Sequence, residues 1–255
     1  MGLVRGREAA KLLPGEVLPG KASGLSQTIK AVAFDLDGTL YPNYRLYFRL
    51  LPQFLLHPFL YFAFSKARRV LHSIIDEPSQ QFPSFYDRQA ALVAEYLGKD
   101  PEKTKRMLER LIYECWEAAF SGITIFPRLK ETLAALRGAG LRLAVLSDFP
   151  PAQKLSMLGL DGFFDVILST EETGALKPSG IPFTALVKAL NAEPGEILYV
   201  GNSPRFDVAG AQSAGMNAAL IRRSVFSTGH VPKNGSWKAN FVFKDYRQLL
   251  EYILQ

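Results

Sequence analysis

At 255 residues, with 48% hydrophobic and 21% charged side chains, the chain has the composition of an ordinary globular protein, long enough for one large domain or a core with an insert. The formal charge of +6 suits an anionic partner. Lys and Arg are scattered, however, with only short clusters at 66–69 and 222–223, so no nucleic-acid interface is expected. Cys115 is the single cysteine, which excludes an intrachain disulfide and zinc-ligand spacing and fits a reducing, cytoplasmic compartment. His57, His72 and His230 are too dispersed for a histidine metal cluster.

Residues 1–28 carry Gly, Pro and Lys but no continuous apolar stretch, so they read as a loosely docked extension rather than a secretory signal. The first strand is predicted at 30–35. It runs straight into Asp35-Leu36-Asp37-Gly38-Thr39-Leu40. Strand alternation turns residues i and i+2 to one side, so Asp35 and Asp37 can face a single pocket. One carboxylate can then attack an electrophile while the other moves protons, and a divalent cation can offset their charge. A lone Asp-x-Asp-Gly is often just a solvated turn, and the remaining chain must decide.

The stretch 41–123 reads as helical, with its clearest pieces at 87–97 and 101–120, the second opened by Pro101 at a first-turn position. Placed after the first strand, it would cover the carboxyl ends of the strands, where open α/β sheets bind ligands. Within it, residues 50–64 are apolar and aromatic but broken by Pro52, Gln53, His57 and Pro58. Those breaks exclude a membrane span. The expected role is packing in the lid's own core or a dimer seam, with a membrane-surface helix as the alternative.

A regular alternation follows. Helix 128–139 leads to strand 141–147, helix 152–158 to strand 165–168, helix 181–190 to strand 197–200, and helix 208–214 to strand 218–221. A strand at 241–243 and a helix at 246–254 close the chain. Alternation with short Gly- and Pro-marked loops argues an α/β fold, a parallel sheet with helices on both faces.

Three further groups fall at the carboxyl ends of these strands: Ser147-Asp148, Lys177-Pro178-Ser179, and Gly201-Asn202 through Asp207. Each supplies something phosphoryl transfer needs. Ser147 and free amides can hold phosphate oxygens. Lys177 can neutralise charge on the transferring group. Oxygens of Asn202 and Asp207 can complete a magnesium site. Asp148 reads equally well as an N-cap for the following helix, and Arg205 as a surface arginine.

This set, with Gly174-Ala175-Leu176-Lys177-Pro178 and the run from Gly210 to Met216, resembles the haloacid dehalogenase-like (HAD) hydrolase superfamily over residues 30–221, in its helical-cap phosphatase branch. The resemblance implies a Rossmann-like core formed by 29–40 and 124–255 and an inserted helical cap at 41–123. It implies Asp35 as the nucleophile that becomes an aspartyl-phosphate and Asp37 as general acid, then base. Ser147 and Asp148 would bind substrate, Lys177 would steady both Asp35 and the phosphate, and Mg2+ would sit on Asp35, the Asp37 carbonyl, Asn202 and Asp207. Asp37 favours a phosphatase over a dehalogenase, because carbon–halogen cleavage needs no such acid. The family usually has an acidic residue where Asn202 stands; an amide oxygen can still ligate magnesium but brings no charge, so the expected metal affinity falls and Asp207 matters more.

The implied activity is a magnesium-dependent phosphomonoesterase on a small phosphorylated metabolite, from a monomer or homodimer. The alternatives are a fold-retaining binding protein with little turnover, and a hydrolase of lipid-like phosphates at a membrane surface. Sugar phosphates, phosphoglycolate, nucleotides and flavin mononucleotide stay open as substrates.

Overall fold

The computed structural model describes residues 28–74, 82–222 and 238–255. The predicted N-terminal extension up to Gln27, Arg223 and His230 lie outside the described residues. Strand β1 (Ala31–Phe34) is followed by α1 (Tyr44–Leu56), α2 (Pro58–Leu71), α3 (Phe85–Leu97), α4 (Pro101–Leu108) and α5 (Glu114–Phe120). Then come α6 (Leu129–Gly138), β2 (Arg142–Ser147), α7 (Ala152–Met157), β3 (Val166–Ser169), α8 (Gly180–Leu190), β4 (Ile197–Gly201), α9 (Ala209–Ser213), β5 (Asn217–Ile221), β6 (Phe241–Phe243) and α10 (Tyr246–Ile253).

These strands form one six-stranded sheet in the order β3-β2-β1-β4-β5-β6, parallel throughout. The alternation of buried residues explains why both faces are covered. Val32, Phe34, Leu143, Val145, Leu198 and Val200 pack on one side with Leu129, Leu133 and Leu136 of α6 and Tyr246 and Leu249 of α10. Their neighbours Ala31, Ala33, Ala144, Leu146, Ile197 and Tyr199 pack on the other with Phe183 and Leu186 of α8 and Ala211 of α9. Strands apolar on both faces are what a doubly covered parallel sheet requires. The result is the Rossmann-like architecture expected from the sequence. Its strand order reverses at β1, where the chain steps to β2 on one side and β4 on the other, opening a crevice at their carboxyl ends.

The helices between β1 and α6 carry an apolar cluster of their own, built from Leu60, Ala63, Phe64 and Ala67 of α2, Ala90 and Val93 of α3, Leu108, and Ile112. Ser84 caps α3 through the Asp87 amide at 3.2 Å, and Asp100 caps α4 through the Lys103 amide at 2.9 Å. The segment 101–120 is not one regular α-helix. A wide π turn at Glu109–Tyr113 separates α4 from α5. Its buried residues Thr104, Leu108, Ile112 and Phe120 fall at multiples of four. That spacing drifts around a regular helix by about 40° per step, and a wider turn takes up part of the drift.

The apolar run 50–64 is split at His57, with Pro58 opening α2. Only part of it packs inward as expected: Leu50, Leu60, Ala63 and Phe64 are buried, whereas Leu51, Leu55, Leu56, Phe59 and Phe62 face solvent. No helix among the described residues is long and apolar enough to cross a membrane.

Candidate active site

The amide of Asp35 continues the β1 ladder by donating to the Val200 carbonyl at 2.9 Å, which fixes its side chain at the mouth of the crevice. The carboxylate is almost buried. Its Oδ1 accepts from Lys177 Nζ at 2.7 Å and its Oδ2 from Thr39 Oγ1 at 2.7 Å. Asp37 lies on the same cavity wall. Both of its carboxylate oxygens are 2.9 Å from Lys154 Nζ, and the Tyr41 hydroxyl donates to Oδ1. Gly38 between these residues and Asn202 has φ +88°, and a Cβ there would lie 2.0 Å from Asn202 Nδ2. Only glycine allows both the left-handed turn and this approach.

Lys177 is a buried hub. Besides Asp35 it donates to Asp207 Oδ1 at 2.8 Å and to the Tyr199 hydroxyl at 3.3 Å. Tyr199 in turn donates to the Leu146 carbonyl at 3.1 Å. The other Asp207 oxygen accepts from the Asn202 and Ser203 amides at 3.0 and 2.9 Å. Asp207 therefore ties the β4 loop to Lys177. A Cβ on Gly201 would lie 2.4 Å from the Asp207 side chain, so this loop also depends on glycine. The Asn202 Nδ2 donates to the Asp37 carbonyl at 3.0 Å.

Burial and neighbouring charges together shift the titration of these groups. Burial pushes Asp35 up to about 7, against the pull of the Lys177 ammonium and with the push of Asp207 and Asp37. Burial disfavours the Lys177 ammonium, but Asp207 and Asp35 outweigh it and hold its pKa well above the ordinary lysine value. Burial raises Asp148 too. There Lys177, His72, Arg68 and a bond from Thr170 prevail, and its pKa falls below the usual carboxylate value.

Of the residues singled out from sequence, Asp35, Asp37, Asp148, Lys177, Asn202 and Asp207 line one cavity. Ser147 sits beside them at the end of β2 but is fully buried, and its Oγ accepts from the Phe149 amide at 3.3 Å. Its hydroxyl is not on the cavity wall. Asp148 does not cap a helix, which corrects one of its two readings. The residue before α7 is Pro151, with no side-chain cap. The Asp148 Oδ1 instead accepts from Thr170 Oγ1 at 2.8 Å and from the Lys177 amide at 3.4 Å, joining the loop after β2 to the loop after β3. Arg205 is exposed, as expected.

Sequence reading missed Lys154, Tyr41 and Tyr199, and it missed the groups reaching in from α2. Arg68 is buried, bonded to the Glu171 carboxylate, and its Nη2 donates to the Asp148 carbonyl at 3.0 Å. His72 Nδ1 donates to the Lys177 carbonyl at 2.6 Å, and its ring stacks on Phe206 at 4.5 Å. The cavity they close measures about 560 Å³. Its carboxylate floor comes from the sheet. Its walls are aromatic: Tyr47 and Phe54 of α1, Tyr61 and Phe64 of α2, Trp116 of α5, and Phe149 after β2.

A family model of the haloacid dehalogenase-like hydrolases matches residues 29–215. A glyceraldehyde 3-phosphate phosphatase of Methanopyrus kandleri is 30% identical over 235 residues, covering 88% of this chain and 97% of that one. A phosphoglycolate phosphatase of Salmonella typhi is 28% identical, covering 74% of this chain and 79% of that one. Among solved structures, a HAD phosphatase of Thermococcus onnurineus matches with TM-score 0.60 at 28% identity, covering 89% of this chain and 98% of that one. An L-2-haloacid dehalogenase with TM-score 0.66, at 22% identity and covering 90% of this chain and all of that one, shares the fold.

The chain belongs to the haloacid dehalogenase-like hydrolase family. Within that family it is a phosphatase.

Proposed function

We propose that this phosphatase hydrolyses a small phosphomonoester through a covalent intermediate on Asp35, with magnesium as cofactor, in a reducing cytoplasmic setting that suits the unpaired Cys115. The observation that carries the reading is Lys177, held between Asp35 and Asp207 on the wall that also bears Asp37. An Asp35 oxygen attacks phosphorus while the bond to the ester oxygen breaks. Asp37 delivers a proton to that departing oxygen. The resulting Asp37 carboxylate then takes a proton from water, whose oxygen attacks the phosphoryl group and frees Asp35. Each close charge pair of a carboxylate with a phosphate dianion costs about 4 kcal/mol at a partly screened site. The Lys177 ammonium offsets part of that cost.

The donor set fits a hard cation: the Asp35 carboxylate, the Asp37 carbonyl and the side chains of Asn202 and Asp207 are all oxygen donors. A bound magnesium ion would neutralise charge between Asp35 and the phosphate. The Asn202 amide would have to turn its oxygen towards the Asp37 carbonyl, because its nitrogen now faces it. Asp207, bonded to Lys177 and two amides, contributes charge more readily than a free oxygen. The neutral Asn202 supports the second reading, a binding protein with little turnover. Residues 41–123 act as the cap in this account, and their aromatic walls select the leaving group.

Hydrolysis of p-nitrophenyl phosphate by wild type and Asp35→Asn, each with magnesium and with EDTA, tests the proposal. Magnesium-dependent turnover absent from the variant supports it. Turnover retained by Asp35→Asn, or none at high magnesium, contradicts it. Magnesium-independent chloride release from a 2-haloacid would bring back dehalogenation.

A further inference from the structure

We infer that the leaving group of the substrate is bulky, apolar and uncharged, an alkyl or aryl alcohol rather than a short sugar or carboxylic acid. The inference rests on the phosphatase reading for the position of the phosphate and on the cavity for everything else.

A phosphate beside Asp35 and Lys177 would leave its ester group among Phe54, Tyr61, Phe64, Trp116 and Phe149. These rings are held in place. Phe54 and Tyr61 meet edge to face at 4.4 Å, Trp116 lies 4.5 Å from Phe149, and the Tyr61 hydroxyl is turned away to the Leu111 carbonyl at 2.9 Å. A cavity of about 560 Å³ is in the range that encloses drug-sized ligands. A three-carbon phosphate would leave much of it to water lying against rings, whereas an apolar body would displace that water.

Charge supports the same conclusion. A substrate with a second anionic group needs a second cation to receive it. Among the described residues lining the cavity, the basic side chains already have partners. Lys177 bridges Asp35 and Asp207, and Arg68 is held by Glu171 and the Asp148 carbonyl. His72 donates to the Lys177 carbonyl and turns its other nitrogen to Asp148 at 3.9 Å. Lys154, just behind the wall, is bound to Asp37. Freeing Arg68 for a substrate carboxylate would strand Glu171, which is 1% exposed.

The test is kcat/KM of the wild-type protein on unbranched alkyl phosphates from ethyl to octyl, which have similar leaving-group basicity. Phenyl and 2-naphthyl phosphate form a second arm, and glyceraldehyde 3-phosphate and phosphoglycolate form a third. Binding of the same compounds to the turnover-deficient Asp35→Asn protein is measured by calorimetry. The expected result is a rise of about three- to fourfold per added methylene until the cavity fills, with both polar metabolites below butyl phosphate. A naphthyl preference over phenyl steeper than the alkyl trend assigns the cavity to flat ring systems, and the reverse assigns it to chains. Turnover with a flat or falling alkyl series, or with phosphoglycolate preferred, overturns the inference and leaves the phosphatase reading standing. Tighter binding of longer esters without turnover of any ester supports the assignment of the cavity to an apolar group and overturns the phosphatase reading, and with it the description of that group as a leaving group.

Discussion

Lys177 Nζ stands 2.7 Å from Asp35 Oδ1, and the pair is buried at the base of the cavity, with the lysine 2% and the aspartate 6% exposed. Because Lys177 also reaches Asp207, one ammonium compensates two buried carboxylates. Lys177→Met should therefore lower the unfolding free energy by about 3–5 kcal/mol and reduce turnover by at least about 10²-fold. Urea unfolding together with kcat would check this. Stability equal to wild type would show that the pair is not the buried unit described.

The raised Asp35 pKa gives a pH signature. An acid that titrates near 7 in the fold and at about 3.9 in the unfolded chain holds its proton more tightly when folded. Its contribution to stability is therefore present below pH 4 and is lost as the pH rises towards 7. In EDTA, the melting temperature of wild type should fall across that window relative to Asp35→Asn, and magnesium should shrink the difference. Parallel pH profiles for the two proteins would contradict the charge balance assigned to Asp35.

In the proposed mechanism Lys154 would act through Asp37, to which it is bonded, rather than on substrate. Its ammonium holds both carboxylate oxygens from α7, under the rings of Phe149, Phe120 and Trp116. Loss of that hold should misplace the proton donor. Lys154→Met is expected to lower kcat by about 10²-fold, the order of effect that small misplacements produce, while KM stays near its wild-type value. A change confined to KM would move Lys154 from proton-donor positioning to substrate binding.

The Arg68–Glu171 pair ties α2 to the loop after β3. Removing only the arginine buries an uncompensated carboxylate, so Arg68→Met should cost about 3–5 kcal/mol. Arg68→Met/Glu171→Met should recover most of that loss. A double variant no more stable than the single one would mean that Arg68 stabilises through the Asp148 carbonyl instead.

Much of this was legible in the chain because it is local. The strand feeding Asp35-Leu36-Asp37-Gly38 and the alternation after residue 124 follow from patterning, and the elements lie within a residue or so of their expected bounds. Asp35, Lys177, Asn202 and Asp207 meet because parallel strands deliver their carboxyl ends to one edge. What escaped depends on contacts across long separations. Lys154 looks like a surface lysine in a short helix, and Arg68 like part of a solvated basic flank, until Asp37 and Glu171 are seen beside them. Asp148 was ambiguous because an Asp ahead of a helix has local capping chemistry. Here Thr170 and the Lys177 amide, both in the loop after β3, hold its carboxylate, and Arg68 of α2 holds its carbonyl. The π turn at 109–113 has no composition signal, since it answers to the spacing of buried residues.

In the proposed mechanism Asp35 carries the phosphoryl group. The most direct measurement is rapid acid quench of wild type during turnover of an aryl phosphate with magnesium, then peptide mapping by mass spectrometry. A base-labile phosphoryl adduct is expected on the peptide containing Asp35, absent from Asp35→Asn and from an EDTA control. Steady turnover with no adduct at any quench time, or an adduct on another residue, would contradict it.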